Sequence, residues 1–130
     1  MLVLHILTQG ATRRRTEPGA AGFAVLPAYG CFGTSAGVFQ NRVKQLGATA
    51  TEAAVLGHVI AHELGHLLLG TGGHSAGGIM KADWGHQQII LAAQGLLRFD
   101  PGERKRILVN MRHRMLAPRT QNCETELTTH

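Results

Sequence analysis

One short run of the chain carries residue types that could hold a metal ion and activate water. His62 and His66 enclose Glu63 in the pattern His-Glu-x-x-His. If the run is helical, the two histidines lie one above the other on one face, where both imidazoles can bind a single zinc ion. Glu63 points about 100° away from the first histidine, so it can take a proton from a metal-bound water without binding the metal itself.

The residues around this pattern favour a functional site over a purely structural one. From Ala53 to Met80, Glu63 is the only aspartate, glutamate, lysine or arginine. The flanking residues are apolar nearly all the way round, which is typical of a buried helix. A buried carboxylate is costly unless it is paired or has chemical work to do. We therefore favour the metal site over two core histidines with an ion-paired glutamate.

The elements that must position these residues can be predicted from the patterns around them. Strand formers predict strands at residues 2–7 and 22–26, and a third strand that turns into a short polar segment at 38–43. A helix is expected at about 51–69, capped by Thr49 or Thr51, with Gly70 as its left-handed C-terminal residue. The glycine-rich residues 71–78 then let the chain reverse and bring His74 back towards the helix.

Two further helices are predicted after this reversal. The first covers residues 86–97. The second is opened by Asp100, Pro101 and Glu103, which fit an N-cap, a first helical position and the closing residue of a capping box. Its expected apolar stripe is Ile107, Leu108, Met111 and Met115. Residues 1–116 would then form one α+β domain, a small mixed sheet packed on the central helix, and residues 117–130 a polar, frayed tail.

The histidine pattern, read on through Gly70, His74 and Met80, resembles the signature of the metzincin zinc metallopeptidases, most closely its matrixin-like end. The resemblance covers about residues 52–84. It implies a zincin-like fold, His62, His66 and His74 as zinc ligands, Glu63 as the catalytic base, and Met80 as the methionine of the turn beneath the metal. The implied activity is that of a zinc metalloendopeptidase, a hydrolase that cleaves peptide bonds of a peptide or protein substrate.

The chain departs from that signature in two ways. Three residues, rather than two, separate His66 from Gly70 and Gly70 from His74, and the glycines of 70–73 are expected to absorb the extra length. About 50 residues precede the helix, so the resemblance is to a minimal or N-terminally short member. His86 is a competing third ligand. A closed, non-catalytic zinc module would need a fourth ligand, such as His86 or Asp83.

Composition sets wider limits on function. The net charge is +5, and arginines and lysines concentrate in residues 98–119. A basic interaction protein with a vestigial metal site is therefore an alternative, although no nucleic-acid-binding motif is present and we expect no nucleic-acid partner. Cys31 and Cys123 could form a disulfide or stay as thiols. No signal peptide or membrane span is recognisable, which makes the cytoplasm the default expectation.

Overall fold

The computed structural model describes residues 1–8, 20–27, 32–46, 51–116 and the backbone of 125–129. Within them, the protein is a small mixed α+β structure, as the sequence predicts. The elements in chain order are β1 (Val3–Leu7), β2 (Gly22–Pro27), β3 (Ser35–Phe39), α1 (Gln40–Leu46), α2 (Glu52–Leu69), α3 (His86–Ala93), α4 (Pro101–Leu116) and β4 (Thr125–Thr129).

The sheet is mixed, with the strand order β1-β3-β2-β4. Three strands come from the first forty residues, and β4 adds a fourth at the edge formed by β2. β1 runs parallel to β3, whereas β2 runs antiparallel to both of its neighbours. The middle of β3 is fully buried, because it lies between two strands and beneath α2.

The predicted third strand at 38–43 is wrong in its bounds. The strand is Ser35–Phe39, and helix α1 begins at Gln40. Serine, alanine and glycine at 35–37 carry little strand signal in the sequence. Gly37 nevertheless suits this strand, since a Cβ at this position would lie only 2.4 Å from Cε1 and Cζ of Phe23 on the neighbouring strand. A large aromatic side chain on β2 thus takes the space that a side chain on β3 would fill.

Helix α2 is the element against which the sheet and the other helices pack. It covers 18 residues and ends at Gly70, which has a left-handed φ of 69° and donates its N–H to the His66 carbonyl. The end of the helix and the left-handed conformation of Gly70 were predicted from the sequence. The buried residues of α2 include Val55, Val59 and Leu67, which join the two core clusters of the protein. The histidine pattern therefore lies in the most buried helix of the fold.

The two C-terminal helices differ from their predictions in extent and in the face they bury. α3 ends at Ala93 rather than at 97, and Gly95 follows with a φ of 71°. The capping box of α4 is confirmed: Glu103 N–H donates to Asp100 Oδ1, and Asp100 N–H donates to Glu103 Oε2. The apolar stripe is wrong apart from Ile107, because Leu108, Met111 and Met115 are exposed.

Of the predicted frayed tail, residues 117–130, the structure describes only residues 125–129. Residues 125–129 form β4, in which threonine and leucine backbone groups pair with β2 from Phe23 to Pro27. Threonine is a good strand former, but a polar edge strand gives no hydrophobic pattern to detect. Residues 117–124 and 130 lie outside the described residues, as do Thr49, Cys31 and Cys123. Among the described helices, none has the length and apolar character needed to span a membrane.

Candidate metal centre

Three histidines from two parts of the chain converge on one point. His62 and His66 lie on adjacent turns of α2, and His74 comes from the loop that follows the helix. One ring nitrogen from each lies within 4.8 Å of the others, and the Nε2 atoms of His62 and His66 are 3.1 Å apart. The nitrogens of a tetrahedral zinc site with bonds of about 2.0–2.1 Å are roughly 3.3 Å apart. The arrangement can therefore hold a metal ion.

Hydrogen bonds fix which nitrogen each α2 histidine turns to that point. His62 Nδ1 is 2.6 Å from the Ile79 carbonyl oxygen, and His66 Nδ1 is 2.7 Å from the Thr71 carbonyl oxygen. Because a carbonyl only accepts, both Nδ1 atoms must carry the proton. In the neutral rings the Nε2 atoms then present lone pairs to each other. A cation between them would remove this repulsion, and backbone carbonyls are usual partners for the far nitrogen of a metal-binding histidine.

Burial keeps these rings neutral, which is the state that binds a metal. Burial is the main cause that lowers the pKa of His66, to about 4, although the bond to Thr71 opposes it. The pKa of His62 is lowered for the same main reason, and the bond to Ile79 again opposes the shift. His74 is exposed in the loop, but desolvation of the covered part of its ring lowers its pKa as well, with the Asp83 carboxylate acting in the opposite direction. All three rings are therefore unprotonated near pH 7.

The loop that carries His74 is folded into a defined shape. Ser75 donates its N–H to the Met80 carbonyl at 2.9 Å, and Ser75 forms a bridge with Lys81. Ile79 donates its N–H to the Arg98 carbonyl at 2.9 Å, while its own carbonyl accepts from His62. The loop therefore contacts α2 and the segment before α4 at once, and the extra residues between His66 and His74 are accommodated within it.

Glu63 is buried beside the start of β2, with 1% of its surface exposed. Gly22 makes room for it, since a Cβ there would be 2.7 Å from Glu63 Cγ and 2.8 Å from Oε1. Among the described residues, Glu63 Oε2 has no hydrogen-bond partner. Burial raises the pKa of Glu63 to about 9. A raised pKa and an unsatisfied oxygen in a buried carboxylate are typical of functional groups rather than structural ones.

Met80 lies against the α2 helix that carries the histidine pair. It is 1% exposed, and its Sδ would be 2.5 Å from a Cβ placed on Gly65. The glycine inside the His-Glu-x-x-His run therefore allows Met80, together with Phe99, to pack directly on the helix backbone. The role of Met80 as the turn residue beneath a bound ion stays a prediction.

The residues that competed for the third position are not part of the cluster. Among the described residues, the group able to share one ion contains His74 and neither His86 nor Asp83. His58 donates through Nδ1 to the Ala54 carbonyl of its own helix at 2.7 Å. Among the described residues, His74 rather than His86 therefore joins the pair on α2.

Two contacts of the site were not predicted. Trp84 lies edge-on to His62, with ring centroids 5.9 Å apart. Trp84 is the single tryptophan of the chain and lies between His74 and the start of α3 in the sequence. This position could have indicated a contact with the site. Glu103, predicted only as a helix cap, also accepts a hydrogen bond from the Ser75 hydroxyl, next to His74. A contact across 28 residues has no local sequence signal.

Comparison with known proteins does not extend this description: no protein-family model, curated protein or solved structure matches the chain.

Proposed function

We propose that this protein is a zinc-dependent metallopeptidase with a zincin-like fold, similar to a minimal metzincin. The observation that carries the proposal is the convergence of His74 with His62 and His66 of α2, the helix that also carries the buried Glu63. Three imidazoles leave one position of a tetrahedral ion open, which is the arrangement of catalytic zinc sites, whereas structural sites are closed by four protein ligands. The donor set suits zinc, for which neutral imidazole is a common ligand.

In this proposal the residues have separate roles. His62, His66 and His74 would hold the ion, which would supply Lewis acidity to a water molecule and to the scissile carbonyl. At a pKa of about 9 the Glu63 carboxyl group is protonated near pH 7 in the metal-free protein, and a cation bound nearby would favour its carboxylate form. In that form Glu63 would accept the proton of the attacking water and pass it to the leaving amine. The Nδ1 hydrogen bonds of His62 and His66 to the Ile79 and Thr71 carbonyls would hold the two rings in their metal-binding orientation.

The first experiment measures zinc content and affinity. We expect about one zinc per chain, no binding by His62→Ala or His66→Ala, and strongly weakened binding by His74→Ala. His86→Ala is the matched control, because His86 is exposed and outside the cluster. Full zinc occupancy in His62→Ala or His66→Ala would disprove the metal site, and equal losses in His74→Ala and His86→Ala would disprove the third ligand.

The second experiment tests catalysis with a peptide library. Glu63→Gln should keep zinc and lose hydrolysis by about 10²–10⁴-fold, since the ligands remain and the base is gone. Glu52→Gln, at the other end of α2, is the matched control and should keep wild-type turnover. Unchanged turnover in Glu63→Gln would assign the chemistry to another residue.

The two alternatives give different results in the same experiments. A closed, non-catalytic zinc module would bind zinc but neither cleave peptides nor accept a zinc-directed hydroxamate at a fourth position. A basic interaction protein would bind nucleic acid with an affinity that falls steeply with salt. Arg114 weakens that second alternative, because its guanidinium donates to the Gly33 and Leu67 carbonyls and lies over the Phe32 ring.

A further inference from the structure

Glu103 has a hydrogen bond that its role in the α4 capping box does not require. The side chain is 1% exposed, and Oε2 accepts the Asp100 N–H at 2.9 Å, which completes the capping box. The other oxygen, Oε1, accepts a hydrogen bond from the hydroxyl of Ser75. Both oxygens of this buried carboxylate are therefore satisfied, one within α4 and one in the loop that carries His74.

The loop between His74 and Met80 needs such contacts to hold a defined position. His74 is exposed, and four of the residues from 72 to 78 are glycines, which restrict the backbone least. In the described structure, the loop contacts the segment 98–103 at two points. Ser75 contacts Glu103 through its side chain, and Ile79 contacts Arg98 through the backbone. Ser75 is the next residue after His74, so the first contact fixes the backbone beside the third histidine.

We propose that Glu103 is a positioning residue for the metal centre, which acts through the Ser75 hydroxyl to place His74 opposite the two histidines of α2. This inference rests on the proposed metal-binding function. A buried carboxylate suits the role, because a charged acceptor makes a stronger hydrogen bond than a neutral one and holds the donor in a narrower geometry. The first turn of α4 would thus determine whether the site has two protein ligands or three.

A purely structural role for Glu103 predicts something different. If the carboxylate served only to cap α4, its replacement would lower the stability of the fold and leave the geometry of the metal centre unchanged. Gln88 offers the comparison within the same chain. It closes the capping box of α3, where Oε1 accepts the Gly85 N–H at 3.0 Å, so it performs the same local task at the start of another helix.

The test uses five variants of the full chain: Ser75→Ala, Glu103→Gln, the double variant, Ser75→Thr, which keeps the hydroxyl, and Gln88→Ala as the capping control. The readouts are the zinc dissociation constant from competition with a chelator and the visible spectrum of the Co²⁺-loaded protein, which changes with the number and arrangement of ligands. Urea unfolding of the metal-free proteins reports fold stability separately.

We expect Ser75→Ala and Glu103→Gln each to weaken zinc binding by about 10–100-fold, the usual effect of removing a partner that orients a ligand. Both should change the Co²⁺ spectrum in the same direction as His74→Ala. The double variant should bind zinc no more weakly than Ser75→Ala, because both changes remove one interaction. Ser75→Thr, which keeps the hydroxyl, should restore the wild-type affinity and spectrum, and Gln88→Ala should leave both unchanged.

The inference fails if Ser75→Ala keeps the wild-type zinc affinity and Co²⁺ spectrum, if the losses of the two single variants add in the double variant, or if Gln88→Ala weakens zinc binding as much as Glu103→Gln. Each of these results leaves the proposed metal site intact. Absence of zinc binding by the wild-type protein overturns the proposed function and this inference together, so the two failures are distinguishable.

Discussion

Two glycines of α2 give a matched test of how the helix packs beneath its histidines. A Cβ on Gly65 would lie 2.5 Å from Met80 Sδ and 2.8 Å from Phe99 Cε1. A Cβ on Gly57 would meet nothing within 4 Å. Both glycines lie in the interior of the same helix, so replacing either by alanine gives a similar gain of about 0.5–1 kcal/mol in helix propensity.

The magnitude of the packing effect follows from the contacts. Non-bonded carbon atoms have their optimum at about 3.5–4.0 Å, so Met80 and Phe99 would have to move by roughly 1 Å to accept a methyl group on Gly65. Overpacking of this kind costs about 1–3 kcal/mol. The gain in helix propensity is common to both variants. The free energy of unfolding of Gly65→Ala should therefore be lower than that of Gly57→Ala by this overpacking cost, and Gly57→Ala should be more stable than the wild type.

Urea unfolding of the metal-free proteins measures that difference directly. The zinc affinity of the same variants gives a second measurement. Gly65→Ala should bind zinc more weakly, because movement of Met80 displaces the loop whose Ile79 carbonyl holds His62. Equal stability of the two variants would refute the reasoning, since it would mean that Met80 and Phe99 do not pack on the backbone at Gly65.

Three further predictions concern Glu63 and the ion. In the metal-free protein the pKa of Glu63 is raised from 4.5 to about 9. The unfolded chain therefore releases this proton first, and stability is lost as pH rises between these two values. From pH 7 to 9, wild type should lose about 2 kcal/mol of unfolding free energy relative to Glu63→Gln, because the titration of the histidines is common to both proteins and cancels. Parallel pH curves of the two proteins in urea unfolding would contradict this. Gly22→Ala should lower peptide hydrolysis while zinc stays bound, because the new Cβ would displace the Glu63 side chain, and zinc analysis with turnover measurements would check it. Zinc at 100 times its dissociation constant should raise the free energy of unfolding by about 2.7 kcal/mol, whereas His62→Ala should show no such increase.

The parts of the site that could be predicted are those that depend on local spacing. The positions of His62 and His66 follow from the helical repeat, and the end of α2 follows from Gly70. The convergence of His74 was predicted from a short, glycine-rich reversal, which limits how far the loop can carry the histidine from the helix. These inferences needed no knowledge of the remainder of the fold.

The errors share a different cause, which is dependence on distant neighbours. β3 was misplaced because Gly37 is suited to a strand only in the presence of Phe23 from β2. β4 was missed because its pairing with β2 depends on backbone groups at an edge more than 90 residues earlier in the sequence. Ser75 and Glu103 meet only once the loop and α4 have packed together. In each case, the contact that determines the structure joins residues too far apart in the sequence for a local residue pattern to predict it.

The buried face of α4 explains why its apolar pattern was misleading. Helix α2 ends beside the metal centre, and its last four carbonyl groups have no partners within the helix. The His66 carbonyl accepts from Gly70 and Thr71, whereas Leu67, Leu68 and Leu69 have carbonyls that accept from Arg114 and Asn110 of α4.

The same face of α4 also carries Glu103, which lies seven residues before Asn110 and eleven before Arg114 and so falls on the same helical stripe. The polar residues of this face therefore contact both the end of α2 and the loop that follows it. His74 lies in that loop and meets the two histidines of α2. Hydrogen bonds to backbone carbonyls require the helix to turn polar groups inward, so the apolar residues Leu108, Met111 and Met115 face outward. The buried contacts of α4 with the end of α2 and with the loop are thus hydrogen bonds of polar side chains, and a search for an apolar stripe selects a different, exposed face of the helix.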